Sequence, residues 1–358
     1  MWVAGGAAVV LLALALALAV GRGTSHRPAG QSRSSDAAGT DTDADTDADT
    51  DADTDTDTGT DKPHLYSAPS ESAHITPLTR ERRVLRSGLY NVTCVPEAGH
   101  GQGGEGGPGL TRGCPPVRCA RAVAEAFVSE AEARRLRAMA ETAMALAGFG
   151  SGPVSVLDLT SGAVSKGHRF VDVFQLMLAQ GLAFPAADLE LYRSVIERVE
   201  ARVRSTFGVE GLHLASPSFF SRIVSDVPAA TGNDEYWHEH IDRLQYGTFA
   251  YTALLYLSSQ DSSQSPSQSQ SQSPSESESS ESRAGGDFRG GSFFFVEADG
   301  SEWEVRPTAG TLSYFTSGDE NPHRVERVSQ GTRFALTVAF TCQPHAAVKN
   351  FLSRARTV

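Results

Sequence analysis

Apolar residues recur along this chain with two different periods, and the change from one to the other divides it. Over residues 129–147, Ala133, Leu136, Ala140, Ala143 and Ala147 share one helical face. Ser129 and Glu132 make a capping-box pattern at its start, and Gly148 is a natural stop. A second helix is predicted over 188–207, with Tyr192, Ile196, Val199 and Val203 on one stripe and Gly208 after it. From Leu212 onward the period shortens to β-type runs at 219–224, 249–257, 293–296, 302–305, 311–315 and 333–341. Turn signals such as Ala298-Asp299-Gly300 and Gln330-Gly331 separate them. Helices followed by many strands predict an α+β domain, with helices packed on a curved antiparallel sheet or barrel.

Three stretches fit neither period. The first twenty residues are almost wholly apolar, which suits a membrane anchor or a signal segment over 1–22. Residues 23–89 contain an Asp-Thr-Asp-Ala repeat with no apolar face to bury, so a solvated linker is expected. Residues 260–284 are nearly all Ser, Gln, Glu and Pro and read as a disordered insertion between two strands. Closing such a loop costs little extra per added residue. The expected organisation is therefore a segment 1–22, a linker 23–89 and a Cys/Gly-rich region 90–120. A catalytic domain at 121–344 and a tail at 345–358 complete it.

The formal charge of −12 adds little to this picture. Eleven Asp fall between Asp36 and Asp61, and setting them aside leaves −1. No basic block with interleaved aromatics appears, which argues against nucleic acid as a partner. Arg22, Arg27 and Arg33 follow the apolar segment, which would place the downstream chain in the cytosol if that segment stayed as an anchor. Asn91-Val92-Thr93 is an N-glycosylation sequon and points the other way. So do Cys94, Cys114, Cys119 and Cys342, an even set expected to form disulfides rather than a zinc site. Four cysteines allow three connectivities, and the sequence does not choose among them. The resulting expectation is a single-pass membrane protein with its catalytic domain in the lumen of the secretory pathway.

The candidate chemistry lies in the run Asn233 to Asp242. In extended backbone, His240 and Asp242 point to the same side and can reach one ion. His-Xaa-Asp alone is a weak signal. Downstream, His323 follows the 311–315 strand, and Arg333 opens the apolar 333–341 strand. A hairpin through 328–331 is expected to set these two segments side by side. Two imidazoles and a carboxylate on one face make the ligand set of a non-haem iron(II) centre, which keeps three positions free. A guanidinium beside it is a fork suited to a carboxylate.

His240-Ile241-Asp242, His323 and then Arg333 ten positions on resemble the prolyl-4-hydroxylase-type branch of the Fe(II)/2-oxoglutarate oxygenases. Tyr236 matches a tyrosine that often lines the 2-oxoglutarate pocket there, and Gly290-Gly291-Ser292-Phe293 resembles its Gly-Gly strand start. The runs 234–238, 251–258, 315–318 and 323–326 are similar to one member of that branch, and the likeness spans about Cys94 to Cys342. The resemblance implies a double-stranded β-helix (jelly roll) behind an N-terminal signal-anchor. It implies iron(II) held by His240, Asp242 and His323, 2-oxoglutarate held by Arg333 and Tyr236, and ascorbate. The implied reaction hydroxylates a polypeptide side chain, prolyl or lysyl, and converts 2-oxoglutarate to succinate.

Plainer readings stand beside these. His238 alternates with His240 and Asp242 and is expected at the rim. Tyr236 can be a core aromatic, and Tyr251 and Thr252 can either touch the co-substrate or pack. His168 and His213 read as structural. The competing function is a membrane-tethered, non-catalytic binding module with an oxygenase fold. A cupin without 2-oxoglutarate leaves Arg333 unexplained.

Overall fold

The strand Tyr251–Tyr256 is buried on both sides, and that fact sets the layering. The structure, a computed structural model, describes residues 81–95, 113–261, 286–349 and 351–352. In chain order the strands are β1 (Arg82–Val84), β2 (Gly88–Val92), β3 (Cys119–Ala124), β4 (Val154–Asp158) and β5 (Ala163–Lys166). They continue with β6 (Arg169–Asp172), β7 (His213–Leu214), β8 (Phe219–Val224), β9 (Tyr251–Tyr256) and β10 (Phe288–Gly290). The last are β11 (Phe293–Val296), β12 (Glu302–Val305), β13 (Leu312–Thr316), β14 (His323–Val325) and β15 (Val328–Thr341). The helices are α1 (Glu130–Ala147), α2 (Val173–Ala179), α3 (Ala186–Phe207) and α4 (Asp242–Tyr246).

A large sheet runs β2-β3-β13-β9-β15-β8-β4-β5-β6, with β7 and β10 also on β15. A small sheet runs β1-β12-β11-β14. Every named pairing is antiparallel except β1 with β12. Successive strand residues face opposite sides. Tyr251, Ala253 and Leu255 of β9 therefore join α1 and α3 in one apolar cluster. Leu254 and Tyr256 join Phe293, Phe295, Phe315 and Ala335 in another. Helices cover one face of the large sheet, and the small sheet's aromatics cover part of the other.

The capping box at Ser129 and Glu132 forms, and Gly148 takes the left-handed conformation that ends α1. β3 to β6 and α2 lie before Leu212, so strands and helices interleave rather than following in two blocks. The expected linker also ends early. Arg82–Val84 adds a parallel strand to β12, and Gly88–Val92 pairs with β3, so this arm straps the two sheets together. Buried Glu302 accepts from Arg324 at 2.6 Å and Arg82 at 3.2 Å, and both guanidiniums flank the Phe294 ring. The disulfides are Cys94–Cys119 and Cys114–Cys342. Part of the expected tail is docked: the Val348 amide donates to the Leu214 carbonyl, and Phe351 packs on Tyr192.

Residues 1–22, the Asp-Thr repeat, 96–112 and 262–285 lie outside the described residues. The single-pass membrane localisation is not sustained, since no helix among the described residues is long and apolar enough to cross a membrane. The two long helices each bury one face and turn a polar face outward, as sheet-packing helices do.

Candidate active site

The loop carrying His240 is fixed before it reaches the site. Buried Asp234 accepts from the Thr231 amide at 2.8 Å, the Thr231 hydroxyl at 2.9 Å and the Ala230 amide at 3.1 Å. Gly152 sits so close to this carboxylate that any side chain there would collide. The chain then extends through Ile241, and Asp242 starts α4.

His240 and His323 are 83 positions apart in sequence yet form a two-residue antiparallel bridge. Asp242 Oδ1 lies 3.7 Å from His240 Nε2 and 3.5 Å from His323 Nε2. One ligand atom from each of the three residues falls within 4.8 Å of the others. Each imidazole is oriented by its other nitrogen. His240 Nδ1 donates to the His238 carbonyl at 3.1 Å, and His323 Nδ1 donates to the Asn321 carbonyl at 2.9 Å. A carbonyl only accepts, so in the neutral ring Nδ1 carries the proton and Nε2 keeps its lone pair. This is the tautomer a metal ligand needs.

Electrostatics follow from the crowding. Burial, and then the adjacent His323, hold the His240 pKa down to about 4. Burial also disfavours charge on Asp242 and His323, but their mutual attraction wins: the carboxyl is lowered and His323 raised. Phe293 stacks on His323 at 5.1 Å and Phe315 meets it edge-on at 5.0 Å, so the site is dry on that side. Asn321 is itself gripped: its amide donates to the Thr316 carbonyl at 2.9 Å and its oxygen accepts from buried Arg121 at 3.1 Å.

Arg333 is 2 % exposed. Its Nε donates to the Gly291 carbonyl at 3.0 Å, whereas Nη2 is buried with no partner. Burial lowers its pKa from the usual arginine value. The Tyr256 ring lies 5.5 Å from its guanidinium carbon, and the buried Tyr256 hydroxyl is partnered by the Ser313 hydroxyl. An unpaired buried donor is costly, so the orphaned Nη2 of Arg333 marks a place for a polar ligand. The expected hairpin at 328–331 does not form. β14 and β15 lie in different sheets, and the chain crosses between them at Glu326 and Arg327. Gly290 makes this possible: its φ is +69°, and a Cβ there would sit 2.3 Å from the Arg327 carbonyl oxygen.

The remaining candidates separate. The Tyr236 hydroxyl accepts from the Val328 amide at 2.9 Å, and its proton is still free to donate. His238 is exposed and bonded to Glu235 at 2.9 Å, outside the three-residue cluster. Tyr251 packs away from the site and donates to the Cys114 carbonyl at 2.9 Å. Thr252 faces the site and donates to Asp242 Oδ2 at 2.6 Å. His168 meets Ser151 at the surface, and His213 sits on β7. Asp234, Ser313 and Arg121 were not legible as contributors; Asn321, two before His323, was the nearest available signal.

Residues 228–341 match the 2OG-Fe(II) oxygenase superfamily, a span that begins before His240 and ends after Arg333. The chain belongs to that family. Within it, the chain is 40% identical over 242 residues to the human "2-oxoglutarate and iron-dependent oxygenase domain-containing protein 3", covering 66% of this chain and 67% of that one. The Xenopus tropicalis protein of the same name is 42% identical over 240 residues, covering 66% and 67%. Prolyl 3-hydroxylase 1 of Gallus gallus is 28% identical over 186 residues, covering 47% of this chain and 22% of its own. The protein is an oxidoreductase, a dioxygenase that uses iron(II) and 2-oxoglutarate.

Proposed function

We propose that this chain hydroxylates a polypeptide side chain, prolyl or lysyl, within a double-stranded β-helix. His240 Nε2, Asp242 Oδ1 and His323 Nε2 hold the iron(II), and Arg333 holds the distal carboxylate of 2-oxoglutarate. The donor set fits the metal, being two neutral imidazoles and one carboxylate on one side. The orphaned Nη2 of Arg333 fits the co-substrate and is the observation that carries the reading. Tyr256 stands beside that guanidinium and supplies a second donor. Tyr236 sits at the outer end, where its free proton can reach a ligand oxygen.

When bound, iron would let 2-oxoglutarate and dioxygen supply the oxidising chemistry: one oxygen atom of O2 enters the C–H bond, the other enters succinate, and CO2 is released. The chain's own residues bind and orient. Arg333 fixes one end of the co-substrate, and Phe293 and Phe315 exclude water around His323. The backbone carbonyls of His238 and Asn321 hold both imidazoles in the binding tautomer. Ascorbate serves as the reductant that keeps the iron in its ferrous state. Supporting the polypeptide substrate is the likeness to prolyl 3-hydroxylase 1. The test is incubation with iron(II), ascorbate, 2-oxoglutarate and proline- or lysine-containing peptides. A peptide mass gain of one oxygen is expected. Succinate formation with every peptide unmodified would contradict the substrate class.

A further inference from the structure

Asp242 has two oxygens, and the structure treats them differently. Oδ1 faces the free ring nitrogens of both histidines, at 3.5 and 3.7 Å. Oδ2 accepts the Thr252 hydroxyl at 2.6 Å, a short charge-assisted hydrogen bond. Thr252 has one proton and commits it to the carboxylate. The contact between Thr252 Oγ1 and Ser317 Oγ, at 2.8 Å, therefore has Ser317 as donor. A two-hydroxyl chain, Ser317 to Thr252 to Asp242, ends on the oxygen that points away from the histidines.

The chain is rigid at every point. Thr252 is 3 % exposed and Ser317 is 1 % exposed. Thr252 sits in β9 between Phe315 of β13 and Ala339 of β15, a central strand held on both edges. Ser317 follows β13 directly and is pinned by its amide to the Ala250 carbonyl and by its carbonyl to the Arg243 amide. The carboxylate plane of Asp242 is therefore set by two strands and not by α4 alone.

We infer that Thr252 and Ser317 are positioning residues that keep Asp242 a one-oxygen ligand. The inference rests on the metal-site reading above. A six-coordinate ion with His240, His323 and one Asp242 oxygen keeps three positions for the co-substrates. A carboxylate free to rotate could present both oxygens and take one of them. Thr252 prevents this by occupying Oδ2 with a better placed proton. Neither hydroxyl touches the reacting atoms; both act through Asp242.

The experiment uses the full chain stripped of metal and titrated with Co(II), whose visible absorption reports coordination number. Thr252→Val, Thr252→Ser and Ser317→Ala are compared with the parent, with melting temperature recorded for each. Thr252→Val should bind Co(II) about 10- to 100-fold more weakly, the usual effect of losing an outer partner of a ligand. Its spectrum should also change, and Thr252→Ser should restore both. Ser317→Ala should shift both in the same direction by less, and it carries the test if Thr252→Val fails to fold. If Thr252→Val binds within threefold with an unchanged spectrum, or Ser fails to rescue, the inference is overturned. A parent chain that takes up no Co(II) would instead overturn the metal-site reading beneath it.

Discussion

His240 and His323 exchange a reciprocal pair of backbone hydrogen bonds, amide to carbonyl, at 2.9 and 3.0 Å. Their rings meet edge to face at 4.3 Å. The main chain thus fixes the distance between the two imidazoles proposed as ligands, and Asp242 is only two residues from one of them. A site built this way binds metal at little cost in ordering. Adding iron(II) or Co(II) to the stripped protein should raise its melting temperature, with about 2.7 kcal/mol of stabilisation at a hundredfold excess over Kd. His323→Ala should remove that rise, as should His240→Ala and Asp242→Ala. A differential scanning experiment on parent and variants checks it, and a persisting rise in His323→Ala would contradict the ligand set.

Arg333 is held by one hydrogen bond to Gly291 and otherwise lies buried beside Tyr256. Truncating one partner of a buried charge pair costs about 2–5 kcal/mol. Arg333→Ala should weaken 2-oxoglutarate binding by roughly 30-fold to several thousand-fold while metal affinity changes far less. Arg333→Lys should fall between, keeping the charge but losing the fork. Calorimetric titration of 2-oxoglutarate into the metal-loaded variants gives the answer. Binding by Arg333→Ala within about threefold of the parent would make Arg333 structural.

The insertion boundary is sharper than its composition suggests. Gln260 is tied in by its amide to the Gly290 carbonyl at 2.8 Å and to Ser292 at 2.9 Å, so it belongs to the fold. Gly286 packs directly against the Asp261 backbone, so a short turn can join the two ends. Replacing 262–285 with Gly-Asn-Gly should leave the melting temperature nearly unchanged, whereas Gln260→Ala should lower it. A loss of several degrees on replacing 262–285 alone would show that the tract packs.

Glu302 is fully buried between two arginines of unequal exposure. Removing it strands Arg324, so Glu302→Ala should destabilise by about 3 kcal/mol. Arg82 is 53 % exposed, and Arg82→Ala should cost under about 1 kcal/mol. Urea melts of the two variants separate these cases, and equal losses would contradict the account of the strap.

The sequence carried the site further than it carried the fold. The fold brings His240, Asp242 and His323 together, and the sequence singles them out because a ligand set restricts residue type and spacing; Arg333 stands out because a charge opening an apolar strand needs a reason. β3 to β6 were not legible. Cys119–Ala124 is a short run covered on both faces, so it shows no alternation to read, and Val154–Asp158 is only five residues long. The 328–331 turn misled for a related reason. Gln330-Gly331 carries a turn signal, but the Gly331 φ of +79° serves a close approach to Asp287 inside a continuous strand. On the sequence alone Thr252 could either touch the co-substrate or pack, because its partner Asp242 is ten positions away and in contact only through the fold.

His240, Asp242, His323 and Arg333 are proposed to form one iron- and 2-oxoglutarate-dependent centre. The most direct measurement is succinate formed from 2-oxoglutarate by the purified chain with iron(II) and ascorbate, run beside His323→Ala and Arg333→Ala. Succinate is expected from the parent, abolished by chelation and by His323→Ala, and recovered in Arg333→Ala only at much higher 2-oxoglutarate. Equal succinate from the parent and from a folded His323→Ala protein would contradict it.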